Sequence, residues 1–176
     1  MTGDNVERIK YVMEYLNKHL TMLNDMGFVF DDGSFDEMIH SYGVAYFCAS
    51  AAYSKGLDPE LGYIIGLLHD VGRIINDDYT KAHGPSGAIL VEGFLEDTGL
   101  FDSEEIEIVC RSISKHSKKG KNHGPYDEIL KDADLIERLF FMGDIKAPGT
   151  AKRKRIDQQL ERYGLEVIEK NNEFKV

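Results

Sequence analysis

The sequence predicts an all-α protein, a single-domain compact helical bundle of about seven helices. Apolar residues recur at steps of three and four along most of the chain, and capping or stop signals separate these stretches. The alternating pattern of a half-buried strand is nearly absent. With 176 residues, of which 42% are hydrophobic, the chain can bury one sizeable core without disulfides. We expect an N-terminal helix packed on the core over residues 1–30, a core over 35–142, and a C-terminal helix and tail over 150–176, all in one domain.

The first three helices have clear boundaries in the sequence. Apolar residues at helical spacing predict the first helix, and Gly27 is expected to end it. The segment Ser34-Phe35-Asp36-Glu37 has the pattern of a capping box and opens a second helix, which runs to about Gly56. Asp58-Pro59 supplies a cap and a proline for a third helix, which ends at His69. A polar loop is expected after the third helix.

Four more helices complete the prediction. His83-Gly84-Pro85 introduces the fourth, which Gly99 closes, and Asp102 caps a fifth whose apolar stripe runs towards His116. A basic, glycine-containing loop follows. The sixth helix extends from about Tyr126 to Met142, and the seventh begins after Pro148-Gly149. This arrangement predicts a bundle with functional residues near helix ends.

Composition excludes several classes of protein. The net charge of −10 disfavours extensive nucleic-acid binding, which requires many phosphate contacts by Lys and Arg. The first ten residues lack a basic region followed by an apolar run, and no stretch is apolar enough to cross a bilayer, so a cytoplasmic protein without a membrane partner is expected. Cys48 and Cys110 match no metal or redox spacing and are expected to be structural thiols.

Two basic clusters remain as candidates for contacts with an anion. One surrounds His116 and the other lies near the C-terminus. The first is equally compatible with a substrate-binding loop and a solvated surface, whereas we interpret the second as a solvated surface. The first cluster comprises Lys115, Lys118, Lys119 and Lys121, and the second Lys152, Arg153, Lys154 and Arg155.

A spaced set of nitrogen and oxygen donors is the most informative feature of the chain. It consists of His40, His69, Asp70, His83, His116 and Asp134. Helical spacing places His40 on the same side as Val44 and aims Asp134 inward with Leu130 and Phe141, where an unpaired charge would be costly. A bound cation would resolve that cost. The alternative is that these residues are helix caps and buried, hydrogen-bonded polar groups.

The adjacent pair His69-Asp70 has a geometry suited to two metal ions. Successive residues of a helix project about 100° apart, so the imidazole can bind one ion while the carboxylate reaches a second. Imidazole and carboxylate donors without thiolates suit iron, manganese, zinc or nickel better than calcium. The residues therefore favour a binuclear site for two divalent transition-metal ions.

The segment Leu67-Leu68-His69-Asp70-Val71-Gly72-Arg73 resembles the His-Asp motif of the HD-domain superfamily of metal-dependent phosphohydrolases. His40 matches the upstream histidine of that pattern, and Asp134, in Lys-Asp-Ala-Asp-Leu-Ile-Glu, matches the downstream aspartate. The resemblance covers about residues 35–142. His83 and His116 are similar to the two additional histidines of the binuclear branches.

The resemblance implies a role for each donor. His40, His69, Asp70 and Asp134 would bind the first metal ion, and Asp70, His83 and His116 the second. Asp132 is the alternative to Asp134, but the Ala-Asp-aliphatic context favours Asp134. We assign a catalytic role to Asp70 and to Arg73, whose guanidinium would hold a substrate phosphate. Lys115, Lys118 and Lys119 are further substrate-binding candidates.

The predicted function is hydrolysis of a phosphate ester or anhydride by a metal-activated water. The substrate is expected to be a nucleotide or another small phosphorylated metabolite, with a dinucleoside tetraphosphate implied by similarity to a small bacterial branch of the family. Two alternatives remain, namely a di-iron oxygenase of the same fold and a non-catalytic ligand-binding module. The acidic surface and the amphipathic first helix are compatible with a homodimer.

Overall fold

The structure is a computed structural model that describes residues 3–25, 34–76, 80, 82–142, 144–146, 149–165, 168–170 and 173–175. Eight α-helices lie within these residues. They are α1 (Gly3–Asp25), α2 (Ser34–Ser54), α3 (Pro59–Leu68), α4 (Val71–Asn76), α5 (His83–Thr98), α6 (Ser103–Lys115), α7 (Pro125–Met142) and α8 (Thr150–Tyr163). The all-α prediction is confirmed, and the seven predicted helices correspond to α1–α3 and α5–α8.

The helix that the sequence did not predict is α4. It begins one residue after Asp70, where a polar loop was expected, and spans only six residues. Val71, Gly72 and Ile74 of this helix are buried, so it belongs to the core. The expectation of a loop directly after the His69-Asp70 pair was therefore wrong for residues 71–76.

The predicted end signals explain most helix boundaries. The Asp58 carboxylate accepts a hydrogen bond from the Glu60 amide at 2.8 Å, and Asp102 and Glu105 form a reciprocal capping box at the start of α6. Gly99 ends α5 in the left-handed conformation with φ 64°. Two of the predicted signals, the stop at Gly27 and the capping box at the start of the second helix, cannot be compared in this way. Gly27 and the side chains of residues 34–36 lie outside the described residues.

A small antiparallel sheet adds to the C-terminal part of the chain. Its strands are β1 (Asp144–Lys146), β2 (Ile168–Lys170) and β3 (Glu173–Lys175), with β3 between the other two. Ile145 is paired with Phe174 across β1 and β3, and Glu169 with Phe174 across β2 and β3. The sequence analysis expected only a tail after α8, so these strands are a correction to it.

The core is centred on α3, which packs against α2 and also contacts α1, α6 and α7. Ile64, Leu67 and Leu68 of α3 are completely buried. Gly66 permits the close approach of α2, because a Cβ atom at this position would lie 2.5 Å from the Cα of Ala45. This packing places the end of α3, and therefore His69, beside the middle of α2.

Both cysteines are free thiols, as expected. Cys48 is buried in the core, and Cys110 is half-buried on α6. Among the helices of the described residues, none combines the length and the apolar character required to span a membrane.

Candidate metal centre

The structure brings all six predicted donors together. All six are buried, and they are contributed by α2, the α3–α4 junction, the first residue of α5, the residue following α6, and α7. The donor atoms form two groups, each with members within 4.8 Å of one another. One group contains His40, His69 and Asp134, and the other Asp70, His83 and His116.

Asp70 lies between the two groups and faces both. Its Oδ2 atom is 3.3 Å from His69 Nε2 and 4.0 Å from His40 Nε2. Its Oδ1 atom is 3.2 Å from His83 Nε2 and 3.3 Å from His116 Nε2. The two oxygens of one carboxylate therefore point to separate pairs of imidazoles, an arrangement that suits a ligand bridging two ions.

Hydrogen bonds fix the orientation of the imidazole rings. The Nδ1 atoms of His69, His83 and His116 contact the backbone carbonyls of residues 66, 80 and 113 at 2.8, 2.5 and 2.7 Å. Because a carbonyl oxygen only accepts, each of these Nδ1 atoms carries the proton and donates it. The Nε2 lone pair of each ring is then directed into the site, as in histidines that bind metals.

Several donor atoms are left without a partner. Buried atoms that accept or donate no hydrogen bond include His40 Nε2, His69 Nε2 and Asp70 Oδ1. His83 Nε2 and His116 Nε2 lie 2.9 Å apart, so their two lone pairs face each other and repel. A cation in each group would satisfy these atoms, and the mixed imidazole and carboxylate donors fit a divalent transition metal.

The carboxylates of the site remain ionised. Burial alone would raise the pKa of Asp70, but the imidazoles of His69, His116 and His83, which lie within 3.3 Å of its oxygens, hold that pKa well below its usual value. The pKa of Asp134 is likewise lowered, because Lys119 and His40 outweigh the effect of burial. Burial would lower the pKa of His40, but the neighbouring carboxylates of Asp134 and Glu137 raise it to about 9. The site thus offers anionic oxygens to a cation near neutral pH.

Three charged residues besides the six donors contact the site, and two of them, Glu137 and Arg138, were not identified by the sequence analysis. Glu137 accepts a hydrogen bond from His40 Nδ1, and the buried Lys119 donates to Asp134. Arg138 donates from Nε to Asp134 Oδ1 at 3.1 Å, and its Nη2 lies 3.4 Å from Asp70 Oδ2. Glu137 and Arg138 follow Asp134 by one helical turn and therefore lie on nearly the same side of α7. The inward direction predicted for Asp134 could have indicated that both residues lie near the site.

Arg73 lies at the edge of the site, as the sequence suggested. Its Nε is 3.5 Å from Asp70 Oδ1, and its Nη1 is 3.5 Å from Glu37 Oε1. Gly72 does not end α4, which continues to Asn76. Arg73 is therefore helical and lies three residues after Asp70. About a fifth of the side chain, 21%, is exposed, which gives the guanidinium access to solvent.

The lysines of the first basic cluster differ in burial in the folded chain. Lys118 is exposed and Lys115 is half-buried beside His116, whereas Lys119 is buried, donating to Asp134 and, at 3.2 Å, to the carbonyl of Lys131. Burial lowers the pKa of Lys119, and Asp134 opposes that shift. Lys119 therefore contacts a donor of the site directly.

The two aspartates of the Asp-Ala-Asp segment face different parts of the protein, as the helical geometry predicts. Asp134 faces the donors, whereas Asp132 forms an ion pair of 2.7 Å with Arg155 and accepts a hydrogen bond from Gln159 of α8. Arg155 also pairs with Glu128 at 2.5 Å and is only 11% exposed. The interpretation of the second basic cluster as a solvated surface is therefore wrong for Arg155, which joins α8 to α7.

A helical bundle with two groups of imidazole and carboxylate donors is the architecture expected of a metal-dependent hydrolase. The family model described as HD domain matches residues 38–139, more than half of the chain. The chain therefore belongs to the HD domain family of metal-dependent hydrolases.

Relatives and a solved structure agree with this assignment. Ribonuclease Y of Opitutus terrae is 31% identical over 97 residues, covering 55% of this chain and 17% of the relative. Ribonuclease Y of Mycoplasma mycoides is 30% identical over 129 residues, covering 65% of this chain and 29% of the relative. The chain thus spans less than a third of the length of these relatives. The crystal structure of a predicted HD superfamily hydrolase from an uncultured Thermotogales bacterium has the same fold, with a TM-score of 0.55 and 24% identity over 85% of this chain and 91% of that one.

Proposed function

We propose that this protein hydrolyses a phosphate ester or anhydride of a nucleotide or small phosphorylated metabolite, using two divalent transition-metal ions. His40, His69, Asp70 and Asp134 would hold one ion, and Asp70, His83 and His116 the other. Iron, manganese, zinc and nickel all suit these donors. Bound at such a site, the ions supply Lewis acidity towards phosphate oxygens and lower the pKa of a coordinated water to about 7.

The observation that supports this proposal best is the position of Asp70. One of its oxygens faces the His40 and His69 side and the other faces His83 and His116, all at 4.0 Å or less. A single ion would use only one of these two sets. The unpartnered Nε2 atoms on the first side and the opposed Nε2 atoms on the second side each favour a cation of their own.

The surrounding residues have roles that follow from their contacts. Glu137 accepts from His40 Nδ1 and so holds that ring with Nε2 directed inwards. Arg73 lies near Asp70 and Glu37, and its partly exposed guanidinium would donate hydrogen bonds to a substrate phosphate. No side-chain nucleophile is needed, because water attacks the phosphorus and the alcohol or phosphate group leaves.

The substrate that we propose to test first is a dinucleoside tetraphosphate, followed by other nucleotides. The reason is the resemblance to the small bacterial branch of the family. A polyanionic substrate is also compatible with the local charge, since Arg73, Lys119 and Arg138 cluster at the site of a protein whose net charge is −10.

A second candidate is hydrolysis of phosphodiester bonds in RNA. The relatives named ribonuclease Y favour it, since two of them are 31% and 30% identical to this chain over 97 and 129 residues. The overall acidic charge argues against extensive contacts with an RNA backbone. RNA cleavage would therefore depend on one or two nucleotides bound at the site itself.

Elemental analysis of the purified protein, followed by a screen for hydrolysis products with the metal found, tests these proposals. The screen contains nucleotides, a dinucleoside tetraphosphate and a short RNA, each with and without a chelator, and chromatography separates inorganic phosphate, shorter nucleotides and RNA fragments. Metal-dependent hydrolysis of a nucleotide or of the dinucleoside tetraphosphate supports the first proposal, and cleavage of only the RNA supports the second. Oxygen uptake by the iron-loaded protein with a polyol or phosphonate, without hydrolysis of any of these substrates, would reject both in favour of an oxygenase.

A further inference from the structure

Arg138 occupies an unusual position for an arginine beside a metal site. It lies on α7 one turn after Asp134 and contacts one carboxylate from each group of donors. Its Nε donates to Asp134 Oδ1 at 3.1 Å, and its Nη2 lies 3.4 Å from Asp70 Oδ2. The guanidinium therefore spans the two carboxylates rather than pairing with an acid outside the site.

The oxygens that Arg138 contacts are the same atoms that face the imidazoles. Asp134 Oδ1 is 3.3 Å from His40 Nε2, and Asp70 Oδ2 is 3.3 Å from His69 Nε2. An oxygen that donates its electrons to a divalent ion is a weaker acceptor, and two cations so close together repel each other. Arg138 and an ion in the first group thus compete for the same two oxygens.

Arg138 differs in this respect from Lys119. The Lys119 side chain is only 7% exposed, and its ammonium group donates to Asp134 and to the backbone carbonyl of Lys131. The Arg138 side chain is 38% exposed and can turn towards solvent. An arginine that loses its internal acceptors and remains partly exposed can bind a new anion.

We propose that Arg138 binds the phosphate of the substrate once the metal ions are in place. Its planar guanidinium presents parallel donors that match two phosphate oxygens. Arg73 approaches the other oxygen of Asp70, so the two arginines contact different oxygens of this one carboxylate. This inference rests on the proposed phosphohydrolase function and adds a substrate-binding residue that the sequence analysis did not identify.

The test compares wild type with Arg138→Gln, Arg138→Lys and the control Arg162→Gln, which changes an exposed arginine in the last turn of α8. Calorimetry measures the affinity of each protein for Mn²⁺ alone, and then the affinity of the Mn²⁺-loaded protein for inorganic phosphate. We expect Arg138→Gln to weaken phosphate binding at least about tenfold, because a charge-assisted hydrogen bond is lost. Its Mn²⁺ affinity should equal or exceed that of wild type, because a competing cation has been removed. Arg138→Lys should lie between them, and Arg162→Gln should match wild type.

Each other outcome has a distinct meaning. If wild type binds Mn²⁺ and phosphate and Arg138→Gln binds phosphate equally well, the inference is wrong and the proposed function stands. If Arg138→Gln and Arg138→Lys both lose Mn²⁺ affinity together with phosphate affinity, Arg138 positions the carboxylates instead of binding substrate. If metal-loaded wild type neither binds phosphate nor hydrolyses any of the phosphorylated substrates, the proposed function fails, and this inference fails with it.

Discussion

Asp70 is the residue on which both groups of donors depend, because each of its oxygens faces a different pair of imidazoles. We predict that Asp70→Ala reduces the metal content to background and abolishes activity while the helical content stays nearly intact. Elemental analysis and circular dichroism measure these effects. Asp97→Ala, which removes an exposed aspartate of α5, is the matched control and should retain the metal. Metal at wild-type occupancy in Asp70→Ala would show that the bridging role is wrong.

The two aspartates of the Asp-Ala-Asp segment provide a second comparison at single residues. Asp134 contacts Lys119, His40 and Arg138 inside the site, whereas Asp132 pairs with Arg155 of α8. We predict that Asp134→Asn removes most of the activity and that Asp132→Asn leaves it within a few-fold, with only a small loss of stability. Steady-state kinetics of the two variants side by side decides between them. The opposite ranking would contradict the assignment of Asp134 as the ligand.

A substitution at Arg73 tests whether its planar guanidinium contributes to kcat/KM. Arg73→Lys keeps the charge but loses the planar pair of donors, so kcat/KM should fall at least tenfold, about 1.4 kcal/mol, with metal content unchanged. Lys152→Ala, which alters an exposed residue of α8, should have almost no effect. Equal kcat/KM values for wild type and Arg73→Lys would show that Arg73 does not bind the substrate and serves only as the ion-pair partner of Glu37.

At the scale of secondary-structure elements, the approach of α4 to α5 sets the position of His83. A Cβ atom at Gly72 would lie 2.2 Å from the carbonyl oxygen of His83 and 2.9 Å from the amide nitrogen of Gly87. The glycine after the His69-Asp70 pair therefore allows His83 to reach Asp70. No side chain larger than hydrogen fits there without moving one of the helices.

We predict that Gly72→Ala pushes α5 away, destabilises the protein by roughly 1–3 kcal/mol and weakens metal binding by Asp70, His83 and His116. Chemical denaturation and metal stoichiometry measure the two effects. The matched control is Gly93→Ala in α5, where an added Cβ would meet no atom within 4 Å. That change should stabilise the protein by about 0.5–1 kcal/mol, because alanine is the better helix former. Wild-type stability of Gly72→Ala would contradict the close-packing argument.

The elements that the sequence predicted well are those whose signals are local. The caps at Asp58 and Asp102 and the stop at Gly99 lie within a few residues of the helices that they bound. The six residues of α4 are too few to show a periodic pattern, and a three-residue strand cannot show alternation. Pairing of residues 144–146 with residues 173–175 depends on the fold of the intervening chain.

The same distinction applies to the candidate site. The six donors were identified through a motif and its order, which are properties of the sequence. Glu137 meets His40 across 97 residues of sequence, and Arg138 meets Asp70 across 68. Such contacts depend on how α2, α4 and α7 pack, so residue spacing alone did not assign them. Lys119 was found as a loop lysine, but its burial against Asp134 follows from tertiary structure.

At the scale of the whole molecule, the site is built from residues that lie far apart in the sequence. The donors come from α2, the α3–α4 junction, α5, the end of α6, and α7, so the complete set exists only in the folded chain. In the absence of an ion, folding brings together two buried carboxylates and opposed imidazole lone pairs, which opposes compact packing. Metal binding should therefore stabilise the fold as a whole.

We predict that the chelator-treated protein melts at a higher temperature when Mn²⁺ is added at about 100 times its Kd. An ion that binds only the native state contributes about 2.7 kcal/mol at that concentration, which for a chain of 176 residues corresponds to a rise of roughly 5–10 °C in Tm. Differential scanning calorimetry measures the rise, and Mg²⁺, which prefers all-oxygen ligands, should give a smaller one at equal concentration. Asp70→Ala should show no rise, because its two groups of donors no longer share a carboxylate. An equal rise in Asp70→Ala would mean that the stabilising ion binds elsewhere on this acidic protein, and the link between the metal centre and the stability of the bundle would be lost.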